Sequence, residues 1–218
     1  VDVIEAPRST GSILKPYLYA AMLNDGYILP QTLVPDVPTQ ISGYSPQNFN
    51  LTYDGAVPAS RALARSLNIP SVLMLQDYSV NQFYEKLQQL KLRNVNRQPS
   101  NYGLTLILGG AESNLWDLCK AYAYMSSTLT YFNQNDAKYR KNEMQNLNYD
   151  ANFQPDFGSS SRQKNIFGAG AIWQTFNAMK EVNRPEGDEA WKFYDSSLEI
   201  AWKTGTSFGS RDAWAIGV

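Results

Sequence analysis

The chain has 218 residues, enough to bury one sizeable core, and its charges nearly cancel: 19 Lys and Arg against 20 Asp and Glu, for a net charge of −1. No basic stripe argues for a nucleic-acid partner, and no acidic tail for a solvating arm. With no histidine and a single cysteine, the chain can form no internal disulfide and no zinc site with nitrogen or sulfur ligands, and serine chemistry would have to work without an imidazole base.

Val1-Asp2-Val3-Ile4 alternates in hydropathy like a strand entered midway. Residues 12–25 read as a helix with Leu14, Tyr17, Leu18 and Ala21 on one apolar face and Gly26 as its stop. Pro16 limits where that helix begins, because a proline donates no backbone N–H and its ring clashes with the carbonyl four residues back. The helix is therefore expected to start at or just before Ser12. Residues 27–57 are loop-rich and turn at Pro30, Pro35, Pro38 and Pro46. A short helix from Pro58 to Leu67 leads to Ser66-Leu67-Asn68, and Pro70 suits the first position of the next one. Ile69, preceding a proline, is expected off helical geometry, which puts Ser66 and Asn68 on a tight interhelical turn.

A third helix covers about 79–91, with Ser79 as N-cap and Phe83, Leu87 and Leu90 inward. Gly103 to Gly110 is apolar and glycine-bounded, and a helix follows from Ser113, its expected N-cap, to about Ser127. Cys119 lies in the apolar stretch Leu115-Trp116-Asp117-Leu118-Cys119 and reads as a core residue. Tyr131 to Lys164 is rich in Asn, Gln, Asp and Ser with little period, as in a hairpin or surface excursion. Residues 168–182 are helical, with Ile172, Phe176 and Met179 aligned, and Asn183-Arg184-Pro185 ends them.

The last segment returns to period two. Leu198, Ile200 and Trp202 alternate with Glu199, Ala201 and Lys203, so Lys203 and Gly205 share one face of a strand. A turn at Gly209-Ser210-Arg211-Asp212 and the run Ala213–Val218 complete an antiparallel hairpin. Helices between strands at both chain ends predict an α+β domain whose terminal strands join one antiparallel sheet. No apolar run approaches the ~18 residues that span a bilayer, and the start does not resemble a signal peptide. Both ends read as cut within a strand, so residues 1–218 are expected to be an incomplete domain, truncated at both ends, with any membrane anchor outside it. An uncovered strand edge at Val218 makes a homodimer of the fragment an expected partner state.

Three strings in order carry chemistry: Ser12-Ile13-Leu14-Lys15, Ser66-Leu67-Asn68 and Lys203-Thr204-Gly205-Thr206. A serine hydroxyl is a poor nucleophile until a neighbour removes its proton, and a lysine three residues on lies on the same helical face. That amine accepts a proton only when neutral, so its pKa must fall. Burial and a second cation would lower it, and Lys203 can be that cation. A serine at a helix start also sits among unpaired N–H groups suited to an oxyanion. The strings recur at Ser161-Arg162-Gln163-Lys164 and Ser79-Val80-Asn81, but Ser161 falls out of order and Ser79 reads as a cap.

The three strings match the S-x-x-K, S-x-N and K-T-G signature of penicillin-binding proteins and serine β-lactamases. Arg8-Ser9-Thr10-Gly11-Ser12-Ile13-Leu14-Lys15-Pro16 and Ala64-Arg65-Ser66-Leu67-Asn68-Ile69-Pro70 resemble the class A penicillin-binding proteins. Ile200–Gly217 and Leu108-Gly109-Gly110-Ala111-Glu112 are most similar to the 1C type within that family. The likeness spans the chain except about 130–165. Leu67 stands where relatives often carry a polar or aromatic residue. Glu112-Ser113-Asn114-Leu115-Trp116 nearly matches the E-x-x-L-N string of class A β-lactamases, but Trp116 replaces its Asn.

The resemblance implies a serine β-lactamase/D,D-transpeptidase-like fold and a transpeptidase that cross-links peptidoglycan stem peptides ending in D-Ala-D-Ala through an acyl-serine. A D,D-carboxypeptidase, or a β-lactam-binding sensor without turnover, shares the same residues. It implies Ser12 as nucleophile, Lys15 as base, Ser66 as proton relay and Asn68 as a hold on Lys15 and substrate. Lys203, Thr204, Gly205 and Thr206 would receive the substrate. β-Lactam antibiotics are implied ligands, and no cofactor, metal or nucleic acid is. A glycosyltransferase domain would precede residue 1, with the whole anchored on the extracytoplasmic face of the bacterial inner membrane.

Overall fold

A computed structural model describes residues 4–41, 43–145, 152–181 and 199–218. The strand expected at Val1–Val3, the helix stop at Asn183-Arg184-Pro185 and Leu198 lie outside the described residues. The fold is α+β. Among the described residues its helices are α1 (Lys15–Asn24), α2 (Ala59–Ala64), α3 (Asn68–Tyr78), α4 (Val80–Gln89), α5 (Pro99–Tyr102), α6 (Leu115–Gln134) and α7 (Ala169–Lys180). A 3-10 turn over Gly103–Leu108 follows α5.

Helix α1 is the axis of the helical lobe. Every residue from Lys15 to Met22 is buried, so it presents no single apolar face; a helix that is apolar all round belongs inside. Around it pack Val72 and Leu75 of α3, Leu118, Tyr122 and Met125 of α6, and Ile172, Phe176 and Met179 of α7. The Tyr17 and Tyr122 rings meet at 4.9 Å, and the Tyr122 hydroxyl donates to Ile13 O at 3.2 Å. Helix α1 ends as expected at Gly26, whose φ of +81° closes a turn with Tyr27 N donating to Met22 O.

The α6 helix departs from expectation at three points. Its N-cap is Asn114, whose side chain accepts from Asp117 N at 2.8 Å, while Ser113 sits in a strand. It continues to Gln134, well past Ser127. Cys119 is exposed, because Leu118, Ala121, Tyr122 and Met125 form the inward stripe and position 119 points away from it.

Among the described residues, strands pair two by two, all antiparallel: β1 (Arg8–Ser9) with β4 (Glu112–Ser113), β2 (Leu33–Asp36) with β3 (Gly55–Pro58), β5 (Tyr139–Arg140) with β6 (Ser160–Ser161), and β7 (Trp202–Thr206) with β8 (Ala213–Gly217). The β5–β6 ladder is the hairpin expected within 131–164. Among the described residues the two chain ends meet through side chains. Trp214 Nε1 donates to Ser9 O at 2.7 Å, Arg8 pairs with Asp212 at 3.0 Å, and Ser9 N donates to the same carboxylate at 3.3 Å. These bonds dock the β7–β8 hairpin against the segment that leads into Ser12.

Candidate active site

The chain enters the site through a turn rather than a helix. Gly11 has φ +50°, Ile13 N donates to Thr10 O at 3.0 Å, and Lys15 N to Ser12 O at 3.2 Å. The α-helix starts only at Lys15. Pro16 explains the delay: its ring would strike the Ser12 carbonyl in α geometry, so the bonds ahead of it are of the tighter i to i−3 kind. Ser12 is therefore half-buried at the mouth of α1, and its backbone N–H has no acceptor among the described residues.

The second string occupies the joint between α2 and α3. Ser66 N donates to Leu63 O and Leu67 N to Ala62 O, both at 2.9 Å, while Ser66 takes φ +55°. This is a Schellman closure with a serine in the left-handed position that glycine fills after α1. Its apolar contact is Leu67 against Ala62 and Val57, which accounts for an apolar middle residue in this string. Helix α3 then begins at Asn68, two residues earlier than expected. Pro70 falls in the first turn, where its missing N–H costs nothing, and Ile69 is helical after all.

Lys15 joins the first two strings. Only 2% exposed, its amine donates to Ser66 O at 2.7 Å, Asn68 Oδ1 at 2.8 Å and Leu67 O at 3.2 Å, with Ser66 Oγ at 3.4 Å. Burial holds its pKa well below the lysine range, and the charge of Lys203 lowers it further. The three carbonyl oxygens pull the other way, because they accept from an ammonium. Lys203 is itself buried, at 3% exposure, and burial brings its pKa down to about 8.

Lys203 and Gly205 face inward from β7, as expected, and Thr204 and Thr206 face outward. The third string thus offers a cation on one side of the strand and hydroxyls on the other. A Cβ on Gly205 would lie 2.8 Å from Thr10 O and 3.0 Å from Ile13 N. The room this glycine leaves is taken by the turn before α1. A Cβ on Gly11 would likewise lie 2.6 Å from Thr206 O and 2.7 Å from Thr206 N. The strand and the Ser12 turn therefore touch backbone to backbone.

The duplicate strings fall elsewhere. Ser161 accepts from Gln163 N, and Lys164 donates to Asn24 O at the far end of α1. Ser79 stands at the N-cap position of α4. Two residues behind the second string, Asp36 and Asn48, are not legible in the sequence, because an Asn among loop prolines carries no spacing signal. No helix of the described residues is long and apolar enough to cross a membrane.

Residues 2–213 match the family described as the penicillin binding protein transpeptidase domain. The chain is 37% identical over 222 residues to Penicillin-binding protein 1C of Escherichia coli K12, covering 100% of this chain and 26% of that protein. To Penicillin-binding protein 1B of Vibrio cholerae it is 30% identical over 223 residues, covering 99% and 27%. It spans about a quarter of the length of these curated relatives. In fold it is similar to the crystal structure of Penicillin-Binding Protein 1A from Haemophilus influenzae, with a TM-score of 0.67 at 20% identity, covering 99% of this chain and 37% of that one. The transpeptidase domain of Burkholderia pseudomallei penicillin-binding protein 3 superposes with the same TM-score at 16% identity, covering 94% of this chain and 62% of that one.

Proposed function

This chain belongs to the penicillin-binding protein transpeptidase family, and from that we propose that it is a serine D,D-transpeptidase acting on peptidoglycan stem peptides and acylated by β-lactams. The observation that carries the reading is Lys15. A buried amine with a lowered pKa is bonded to both ends of the second string and lies one turn from Ser12.

In the proposed reaction Ser12 Oγ attacks the carbonyl between the two terminal D-alanines, and its proton passes to neutral Lys15. The tetrahedral oxyanion is received by the N–H groups of Ser12 and Thr206, whose peptides adjoin across Gly11; each such donor is worth about 3 kcal/mol. As the intermediate collapses, Ser66 Oγ passes the proton from Lys15 to the leaving nitrogen, and D-alanine departs. Ser12 keeps the acyl group as an ester. The amine of a second stem peptide then attacks that ester, its proton returns through the same groups, and a new peptide bond frees Ser12.

The three oxygens around Lys15 suit this cycle. They steady the ammonium once it has taken the proton, while burial and Lys203 make it ready to give the proton up. Asn68 holds Lys15 and offers its amide to substrate. The outward hydroxyls of Thr204 and Thr206 provide donors for the terminal carboxylate, and Lys203 adds positive charge from the buried side of the strand. In a β-lactam the leaving nitrogen stays tethered to the acyl group, so the adduct persists.

The whole protein, we further infer, pairs this domain with a preceding glycosyltransferase and works on the outer face of the bacterial inner membrane. Mass spectrometry of the full-length protein after penicillin treatment tests the chemistry, with the adduct expected on Ser12. An adduct on Ser161, or labelling that survives Ser12→Ala, overturns the assignment.

A further inference from the structure

Helix α3 begins with a problem of hydrogen bonding. Its N-cap is Leu67, which has no polar side chain, yet the first amides of a helix need acceptors. The acceptor comes from another part of the chain. Asn48, 2% exposed, lies in the loop before β3, and its Oδ1 accepts from Asn68 N at 2.9 Å and Ile69 N at 3.3 Å. Pro70, next in line, has no N–H to satisfy.

The orientation of the Asn48 amide is itself fixed. Its Nδ2 donates to Asp36 Oδ1 at 2.7 Å and to Thr52 O at 3.0 Å. Asp36, 1% exposed, uses its other oxygen to accept from Asp54 N at 3.1 Å. A donor-only neighbourhood on one side and two acceptors on the other leave no freedom to flip the amide. On the far side of the same residue, Asn68 Oδ1 holds the Lys15 amine and Asn68 Nδ2 donates to Gln47 O at 2.8 Å, so the loop grips Asn68 by both main chain and side chain.

We propose that Asn48, clamped by Asp36, is a positioning residue for proton transfer: it fixes the backbone of Asn68 and thereby the oxygens that hold the Lys15 amine beside the Ser66 hydroxyl. The inference rests on the function proposed above. Asn48 touches neither substrate nor nucleophile, so its loss should act on the chemical step and not on binding. A displacement of under an ångström at Lys15 is enough, since base and nucleophile must come within hydrogen-bond reach in the reacting complex.

The test is done in the full-length protein with a chromogenic β-lactam in stopped flow, separating the binding constant of the encounter complex from the acylation rate constant. Asn48→Ala should slow acylation by about ten- to a hundredfold, the cost of a base misplaced by about an ångström, with binding unchanged. Hydrogen exchange should show the Asn68 and Ile69 amides losing protection in the same variant. Acylation at the parental rate in a folded Asn48→Ala protein, or a loss confined to binding, overturns the role. So does the absence of protection at these amides in the parent.

If Asn48→Ala does not fold, two further variants carry the comparison. Asn48→Asp sets a carboxylate against Asp36 and should be slow, whereas Asp36→Asn with Asn48→Asp restores donor opposite acceptor and should recover most of the rate. Equal rates for the two overturn the proposal. Ser12→Ala run alongside separates the readings. Acylation that persists there contradicts the nucleophile assignment, while Ser12-dependent acylation indifferent to Asn48 contradicts only this inference.

Discussion

The Lys15 amine lies nearer to the backbone oxygen of Ser66, at 2.7 Å, than to the Ser66 hydroxyl, at 3.4 Å. The main chain of this residue does the holding, and the side chain is left free to move a proton. The two duties can therefore be separated by mutation.

Ser66→Gly keeps the carbonyl and removes the hydroxyl. It also relieves a non-glycine residue at φ +55°, a conformation that costs about 1 kcal/mol. The variant should melt at or above the parental temperature and acylate at least tenfold more slowly, within the range that general acid–base groups supply. Calorimetry and penicillin labelling measured together check both halves; a loss of stability would contradict the conformational argument.

Gly205→Ala tests the contact between β7 and the Ser12 turn. The added methyl would stand 2.8 Å from Thr10 O, a main-chain atom with no side-chain freedom to yield. Overpacking of this kind costs about 1–3 kcal/mol. Lower stability and slowed acylation are expected together, and parental values for both would mean that the strand yields without disturbing the turn.

Lys203→Gln removes the cation that, after burial, depresses the Lys15 pKa. With that cause gone the Lys15 pKa rises, and the neutral amine needed as a base appears only at higher pH. The rising limb of the acylation pH–rate profile should therefore move to alkaline values. A lowered rate with an unmoved limb would confine Lys203 to substrate binding.

Lys203 also links stability to pH. Its folded pKa is about 8 against an ordinary 10.5, so between those values the unfolded chain binds more protons and stability climbs with pH. Below about pH 8 the protonated, buried amine costs the fold roughly 3 kcal/mol, the free-energy equivalent of the gap between those two values. Lys203→Met should flatten the pH 8 to 10.5 slope and be more stable than the parent at neutral pH. A slope unchanged by the substitution would show that other groups produce it.

The sequence showed most plainly what depends on period and order. The inward stripes of α4 and α7 and the alternation that puts Lys203 and Gly205 on one face of β7 follow from spacing, and the influence of Lys203 on Lys15 follows from the need of a lysine base to be neutral. What it hid depends on contacts made through space. In α geometry the Pro16 ring would strike the Ser12 carbonyl, and the start of α1 lies three residues later than expected. Asn114 outcompetes Ser113 as a cap because Ser113 is already committed to β4. Asn48 reaches α3 across 20 residues of chain that include β3 and α2, and no local pattern announces such a bond.

The contact of Gly11 and Gly205 with the backbones opposite them has a mechanical meaning. Hydrogen bonds behave as springs, but atoms already in contact behave as a hard stop, steep against compression and indifferent to separation. The turn before Ser12 and the strand at Thr206 can therefore not be pressed closer, while the Trp214–Ser9 and Arg8–Asp212 bonds resist their separation, so a ligand between Ser12 and Thr206 meets a site of set width.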